Sequence, residues 1–462
     1  MREKVIDQNR IKEPYAISFL NEDTCVKSRI GEISFRSGEV NTEIKIITHI
    51  EDFEALKYEW DQLAWESDTH IFQTYEWNRV WWKYFGRNKK LHIVAVLKED
   101  KLVGVAPLFE DDVCVLGHKV YSRLQFIGSY VSQPEGEPLK GCISYSDYLD
   151  CIIQPGYEVL FYSLILKHFK EVMGNFNEII LDEVSDDSAM FITMVSLMEK
   201  REYGFSYTIK KASTSPIIEL DSSLEAYLNS MSRKARSTAR RYLKRSKQGK
   251  AEVFKIEKVR HADELPGVQE DFIRLHQQQW NSRGFAGTFS EQRMRDFFLE
   301  ISKSFYEKNW IEFNMAVPAD GDMKYVAIDV IITYKNRLYL LHRGMDEDPL
   351  YRKQGPGNVL LFARLKEAIN DGVIVYDMLR GSEEFKLKMA TSINQNKIIN
   401  IHSGLKSERI LPVLVKYYLR ISKHVRTEKS HIKFVYNGKS FLKGIREYTQ
   451  FLHRRIKHKF SN

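Results

Sequence analysis

The chain has 462 residues, 43% hydrophobic and 12% aromatic, which is enough apolar volume for two packed domains and excludes disorder as its default state. Its four cysteines, Cys25, Cys114, Cys142 and Cys151, show neither CxxC spacing nor a nearby His cluster, which argues against a zinc site and fits reduced thiols in a cytoplasm. The net charge is +8, yet residues 406–462 alone carry fifteen Lys/Arg against three Glu, so the body before them is close to neutral and the basic tail is suited to anionic surfaces, lipid headgroups or nucleic acid.

Residues 1–41 read as a polar leader whose start, Met1 to Gln8, has no apolar stretch of the kind a secretory signal needs. A first module is expected over 42–210. It opens with a strand at Ile44, Ile46 and Ile47, followed by a helix from Asp52 to Trp65 carrying Phe53, Leu56, Trp60 and Leu63 at helical spacing. Leu91 to Leu97, Glu99-Asp100 and Leu102 to Phe109 read as a hairpin with an acidic turn. A helix near Tyr157 to Phe169, a strand at Glu178 to Leu181 and a helix near Ser188 to Arg201 complete this half. The second module, 211–405, shows a basic helix from Leu224 to Lys247 and a helix carrying Phe272, Leu275, His276 and Trp280. Three strands follow at 311–317, 325–333 and 338–342, then a helix from Gly357 to Asn370 closed by Asp371-Gly372, then a strand from Val373 to Leu379. The extension 406–462 holds apolar residues among Lys/Arg, a pattern that suits basic amphipathic helices lying on a membrane surface. No stretch reaches the roughly 18 uninterrupted apolar residues of a membrane helix.

The halves echo each other. Pro155-Gly156 and Pro356-Gly357 each open a helix, and each helix leads to an apolar strand bearing an acid, Asp182 or Asp377. A meander, a helix and a strand occurring twice is the order expected of a duplicated α+β module.

The chemistry concentrates in the second copy. Arg352-Lys353-Gln354-Gly355-Pro356-Gly357-Asn358 lies between a strand and a helix, where glycines let backbone N–H groups at a helix N-terminus face a phosphate. The same Pro-Gly also serves as ordinary helix punctuation. Downstream, Asp377 or Glu383 is a candidate general base and Lys386 a candidate stabiliser of developing negative charge. The plainer alternative has Asp377 capping a turn and Lys386 paired with Glu383. His276, Trp280 and His342 are candidates to frame a substrate pocket, with core packing as the alternative. The run from Arg233 to Lys250 holds nine cations in 18 residues and no acid; helical periodicity spreads them around the cylinder, as a solvated helix or an anion-facing one.

Trp60-x-x-Leu63, Ile71 to Trp77 with Trp81-Trp82, Leu102 to Leu108, Ser146 to Asp150, Ser232 to Arg236, Gly344-Met345-Asp346, Pro356-Gly357 and the Asp377 to Lys386 block together resemble the CelD-like, or BioF2-like, acetyltransferase family. The resemblance spans about residues 45 to 400. It implies tandem GNAT modules, each a mostly antiparallel sheet flanked by helices, related to FemAB-like transferases. It further implies acyl transfer from acetyl-CoA or another acyl-CoA, held near Arg352, Lys353, Gly355, Gly357 and Asn358, to a small-molecule or glycan acceptor. Asp377, Glu383 and Lys386 would stand near that acceptor, and no metal is required. Phe385 departs from the family, which usually has Tyr there. The expected place of work is cytoplasmic, with peripheral contact at the inner face of the membrane through the tail. Two other readings stay open: a FemAB-like transferase drawing on aminoacyl-tRNA, and a non-catalytic scaffold of a polysaccharide-synthesis complex.

Overall fold

The computed structural model describes residues 42–402 except 116–117, 130–145, 201–202, 221–222, 246–252 and 320–324, together with two strands, Cys25–Lys27 and Glu32–Phe35. The expected extension 406–462, most of the leader, and Lys247 and Lys250 of the basic run lie outside the described residues.

Two sheets organise the fold. The smaller has six strands in the order Cys25–Lys27, Glu32–Phe35, Thr42–Ile47, Ile93–Lys98, Lys101–Ala106 and Ile152–Ile153. Its central hairpin is the one expected from sequence, and Glu99 and Asp100 both take left-handed φ, 51° and 63°, as a two-residue hairpin turn requires. Pro107 then separates this sheet from the next, since Leu108–Val115 pairs into the larger one. That larger sheet has eleven strands and is shared by both halves of the chain.

Each half contributes one parallel pair joined by a helical crossover. In the first half His118–Phe126 runs through helix Glu158–Val172 to Glu178–Ser185; in the second, Arg337–Met345 runs through helix Pro356–Asn370 to Val375–Asp377. Two long antiparallel strands, Ser206–Glu219 and Ser392–His402, link the halves, the first bordering Val375–Asp377 and the second bordering Glu178–Ser185. The expected module junction at 210/211 falls within the first of these strands.

The strand Ala327–Tyr334 shows how the second half is layered. Its near-continuous apolar run is buried on both faces, as sheets covered by helices on each side require. Ile328, Val330 and Ile332 pack with Phe272 of helix Leu265–Asn281 and with Phe298 of helix Gln292–Glu307. Ile331 faces the other way, towards Leu361 and Phe362.

Three helices are more broken than their periodicity suggests. The basic helix is two, Leu224–Ser230 and Arg233–Arg245, because Met231 is extended and Ser232 Oγ accepts the Ala235 N–H to start the second. Its cations are not spread around the cylinder. Ala239 and Leu243 turn inward, while Arg233, Lys234, Arg240, Arg241 and Lys244 share the exposed face. The Asp52–Trp65 helix is Ile50–Ala55 and Lys57–Glu66, and the Ser188–Arg201 helix is a π turn, Met190–Met194, continued by Val195–Glu199.

Candidate functional site

Strands Arg337–Met345 and Val375–Asp377 are hydrogen-bonded in parallel at only three positions, ending at Tyr339 opposite Asp377. Beyond that point a bulge interrupts Arg337–Met345: Val330 pairs with His342 and Ile331 with Leu340, which leaves Leu341 as the extra residue outside the ladder. A cavity of about 900 Å³ occupies the wedge. Leu340, Leu341 and His342 form one wall and Met378, Leu379 and Arg380 another, with His276 and Trp280 from helix Leu265–Asn281, Glu383 capping helix Glu384–Met389 and Lys386 within it.

Five of the sequence-selected residues therefore meet on one cavity: His276, Trp280, His342, Glu383 and Lys386. The Trp280 indole N–H donates to His276 Nε2 at 3.0 Å, so that ring accepts and is neutral; burial pushes its pKa down to about 4. His342 is likewise held neutral, first by burial and then by the neighbouring His276. Two neutral rings suit shaping and hydrogen bonding rather than taking up a proton. Lys386 is 9% exposed; burial lowers its pKa below the ordinary lysine range against the pull of Glu383, 3.5 Å away. Its Nζ donates to the Arg380 carbonyl at 2.8 Å. Glu383 has a side chain 52% exposed.

Asp377 lies behind the wall rather than on it. It is 1% exposed, its Oδ2 accepts from the Tyr148 hydroxyl at 2.6 Å and its Oδ1 from the Leu379 N–H at 2.7 Å. Burial raises its pKa to about 7.

Arg352 ends helix Pro349–Arg352, Lys353 and Gly355 lie in the turn before helix Pro356–Asn370, and Gly357 and Asn358 lie in that helix's first turn, outside the cavity lining but against its edge. A Cβ on Gly357 would come within 2.9 Å of Met345 Sδ and 3.0 Å of Arg343 Cδ, both of which belong to cavity-lining residues. Gly355 takes φ 66°, and a Cβ there would meet the Tyr242 ring at 2.7 Å. Arg352 pairs with Glu347 at 2.9 Å. Among the turn's amides, Gly355 donates to the Arg352 carbonyl and Asn358 to the Gly355 carbonyl.

Sequence reasoning missed the first-half contribution. Asp147 and Glu183 both line the cavity and face Arg380: Asp147 Oδ1 accepts from its Nε at 2.6 Å, and Glu183 Oε1 lies 3.5 Å from Nη1. Three non-glycine residues with left-handed backbones converge here, namely Tyr148 (φ 53°), Glu183 (φ 54°) and Leu379 (φ 53°). They are tied together, since Tyr148 and Leu379 both bond Asp377 while the Glu183 carbonyl accepts from the Leu149 N–H. Strain gathered at one place marks a site whose surroundings over-determine it. Asp147 stood in a segment noted for its resemblance, whereas Glu183 carried no local signal.

No group of three or more His, Cys, Asp or Glu side chains among the described residues is placed to hold a metal ion. No helix among them is long and apolar enough to cross a membrane.

Residues 233–387 match the model of the acetyltransferase (GNAT) domain family. No curated protein matches the chain. Among solved structures it resembles FemX at 15% identity and a TM-score of 0.52, covering 78% of this chain and 98% of that one. It also resembles a conserved protein of unknown function from Bacteroides thetaiotaomicron VPI-5482 (11% identity, TM-score 0.46, 78% and 99% covered) and L-PGS from Bacillus licheniformis (11%, 0.43, 79% and 96%). The family match covers the strand pair, the wedge and the turn just described, and the likeness to FemX extends the shared fold over both halves. Residues 233–387 thus carry a GNAT-type acetyltransferase domain, and the fold shared with FemX extends over both halves of the chain.

Proposed function

We propose that the protein moves an acyl group, acetyl in the simplest case, from acyl-CoA to an amine or hydroxyl of a sugar or of a polysaccharide or cell-envelope precursor. The observation that carries this reading is the continuity of wedge and turn. The cavity between the diverging strands reaches the Met345 and Arg343 side chains that touch Gly357 at the start of a helix. A helix N-terminus with no side chain at Gly357, flanked by Arg352 and Lys353, suits a pyrophosphate, and the wedge suits the thioester arm beside it. The CelD-like motifs quoted above point to the same donor and to glycan acceptors.

In this reading Glu383 is the base and Lys386 stabilises negative charge, while His276, Trp280 and His342 shape the acceptor pocket. The acceptor's nitrogen or oxygen forms the new bond to the acyl carbon as the C–S bond breaks. Its proton passes to Glu383, and coenzyme A leaves as a thiolate that then takes up a proton. Asp377 acts through position, by holding Leu379 and Tyr148 from behind the wall. The test is release of free coenzyme A thiol from acetyl-CoA in the presence of amino sugars. Glu383→Gln should lower kcat by a factor of roughly 10² to 10⁴, the usual contribution of a positioned base. An unchanged kcat would remove Glu383 from the chemistry.

A second reading is favoured by one observation: the basic helix Arg233–Arg245 abuts the same turn, with Arg245 donating to the Gln354 carbonyl and Tyr242 against Gly355. A FemAB-like transferase would place aminoacyl-tRNA there. Transfer from aminoacyl-tRNA, with no turnover of acyl-CoA, would select it.

A further inference from the structure

Arg343 is a buried cation where the cavity meets the start of a helix. It stands in the strand Arg337–Met345 opposite Asp329 of the strand Ala327–Tyr334 and lines the cavity. Asp329 is fully buried and the Arg343 side chain is 10% exposed. The pair is bidentate: Nε donates to Asp329 Oδ1 and Nη2 to Oδ2, both at 2.6 Å. Such a fork fixes the plane of the guanidinium. The Phe385 ring, also on the cavity lining, has its centroid 5.6 Å from the guanidinium carbon.

A guanidinium carries five N–H donors. Asp329 engages Nε and Nη2, and no acceptor among the described residues takes the pair on Nη1. Another donor is left over beside it. Pro356 has no N–H, and the amides of Asn358 and Val359 both turn to the Gly355 carbonyl, at 3.0 and 3.1 Å. The N–H of buried Gly357 has no acceptor among the described residues. A Cβ on Gly357 would stand 3.0 Å from Arg343 Cδ and 3.1 Å from its Nε, so the two sets of donors border one space. A buried donor without an acceptor is costly, and a ligand that supplies acceptors removes that cost.

Arg352 and Lys353 are placed differently. Both are exposed, and Arg352 is paired with Glu347 at 2.9 Å. Ion pairs in water contribute little, whereas donors already stripped of water and held in one orientation lose little on binding. Asp329 neutralises Arg343, so the pair offers directed N–H groups rather than bare charge.

We propose that Arg343 Nη1 and the Gly357 amide together bind a phosphate oxygen of the donor, with Asp329 as the positioning residue that holds the guanidinium. The ligand class is a phosphate or diphosphate ester, whose several acceptor oxygens match the unpaired donors. The inference rests on the acyl-transfer reading for the donor's identity, coenzyme A; the backbone of an RNA carries the same phosphate chemistry.

The experiment is equilibrium titration of the full chain with acetyl-CoA and with S-acetylpantetheine, which has the same thioester arm and no phosphate. A short single-stranded RNA is titrated in parallel. Arg343→Lys keeps a charge against Asp329 and loses the fork, while the double variant Arg343→Met/Asp329→Asn leaves no buried charge unpaired. Both should weaken acetyl-CoA by about tenfold or more, with S-acetylpantetheine moving less than about twofold. Asp329→Asn alone should act in the same selective way. The selectivity separates phosphate binding from a damaged cavity, which would weaken both thioesters alike, and the double variant should keep its unfolding temperature. Acetyl-CoA affinity that is unchanged in the double variant, or a loss shared equally by S-acetylpantetheine, overturns the inference and leaves acyl transfer standing. If the native chain binds the RNA and not acetyl-CoA, and the variants weaken the RNA about tenfold, the phosphate site stands and the acyl-CoA reading falls. If the native chain binds neither, both fall.

Discussion

Asp377 illustrates how a buried acid can matter without touching substrate. Its two oxygens are taken by the Tyr148 hydroxyl and the Leu379 N–H, and Tyr148 stacks on His70 with ring centroids 4.3 Å apart. Burial raises its pKa to about 7 from the ordinary 3.8, so between those values the folded chain keeps a proton that the unfolded chain has released. Its contribution to stability is therefore greatest below about pH 4 and declines as pH rises towards 7. Asp150, raised to about 7, and Asp182, raised to about 6, act in the same direction. Asp377→Asn removes one such term and keeps both hydrogen bonds, because its amide can donate to the Tyr148 oxygen while its carbonyl accepts from Leu379. Urea denaturation at pH 4.5 and 7.5 should show the variant gaining on the native chain by on the order of 2–4 kcal/mol between the two. Parallel pH profiles would place the Asp377 pKa in the ordinary carboxylate range.

The turn before Pro356–Asn370 carries the next prediction. Gly355 combines φ 66° with a contact to the Tyr242 ring of the basic helix, so Gly355→Ala both strains the backbone and pushes that helix away. A loss of about 1–3 kcal/mol in urea denaturation is expected, and a neutral result would mean the turn is not held against Tyr242. This turn was legible because glycine and proline act locally, and the hairpin turn at Glu99-Asp100, with left-handed φ at both residues, was legible from the acidic pair between two apolar runs. Helix Gln292–Glu307 was not picked out, although Met294, Phe297, Phe298, Ile301 and Phe305 repeat at helical spacing and are buried. Strand Ser206–Glu219 gave a poorer signal: residues 208–211 are exposed, and its order comes from pairing with Ser392–His402, nearly two hundred residues away. The Glu183–Arg380 contact was illegible for the same reason, since neither residue sits in a local pattern that names the other.

Across the molecule, the duplication does more than repeat a module. Trp77 of the first half lies between Phe297 of the second, at 5.3 Å edge-on, and Ser146, whose hydroxyl accepts its indole N–H at 2.8 Å. One apolar core takes residues from both halves, and one eleven-stranded sheet runs through them. The parallel strand pair therefore occurs twice, but the cavity described lies in the second copy, completed by Asp147 and Glu183 from the first. The first copy's equivalent of the phosphate turn, Gln154-Pro155-Gly156, lacks the Arg352-Lys353 pair. We propose on this reasoning that donor binding belongs to the second half. Calorimetric titration of the full chain with acetyl-CoA and longer acyl-CoAs, repeated on the Arg352→Ala/Gly357→Asp variant, tests that assignment most directly. A side chain at Gly357 meets Met345 and Arg343 and adds an anion where a phosphate would lie, so micromolar binding by the native chain should be lost in the variant. Acyl-CoA binding that persists in the variant, or is absent from the native chain, would contradict it.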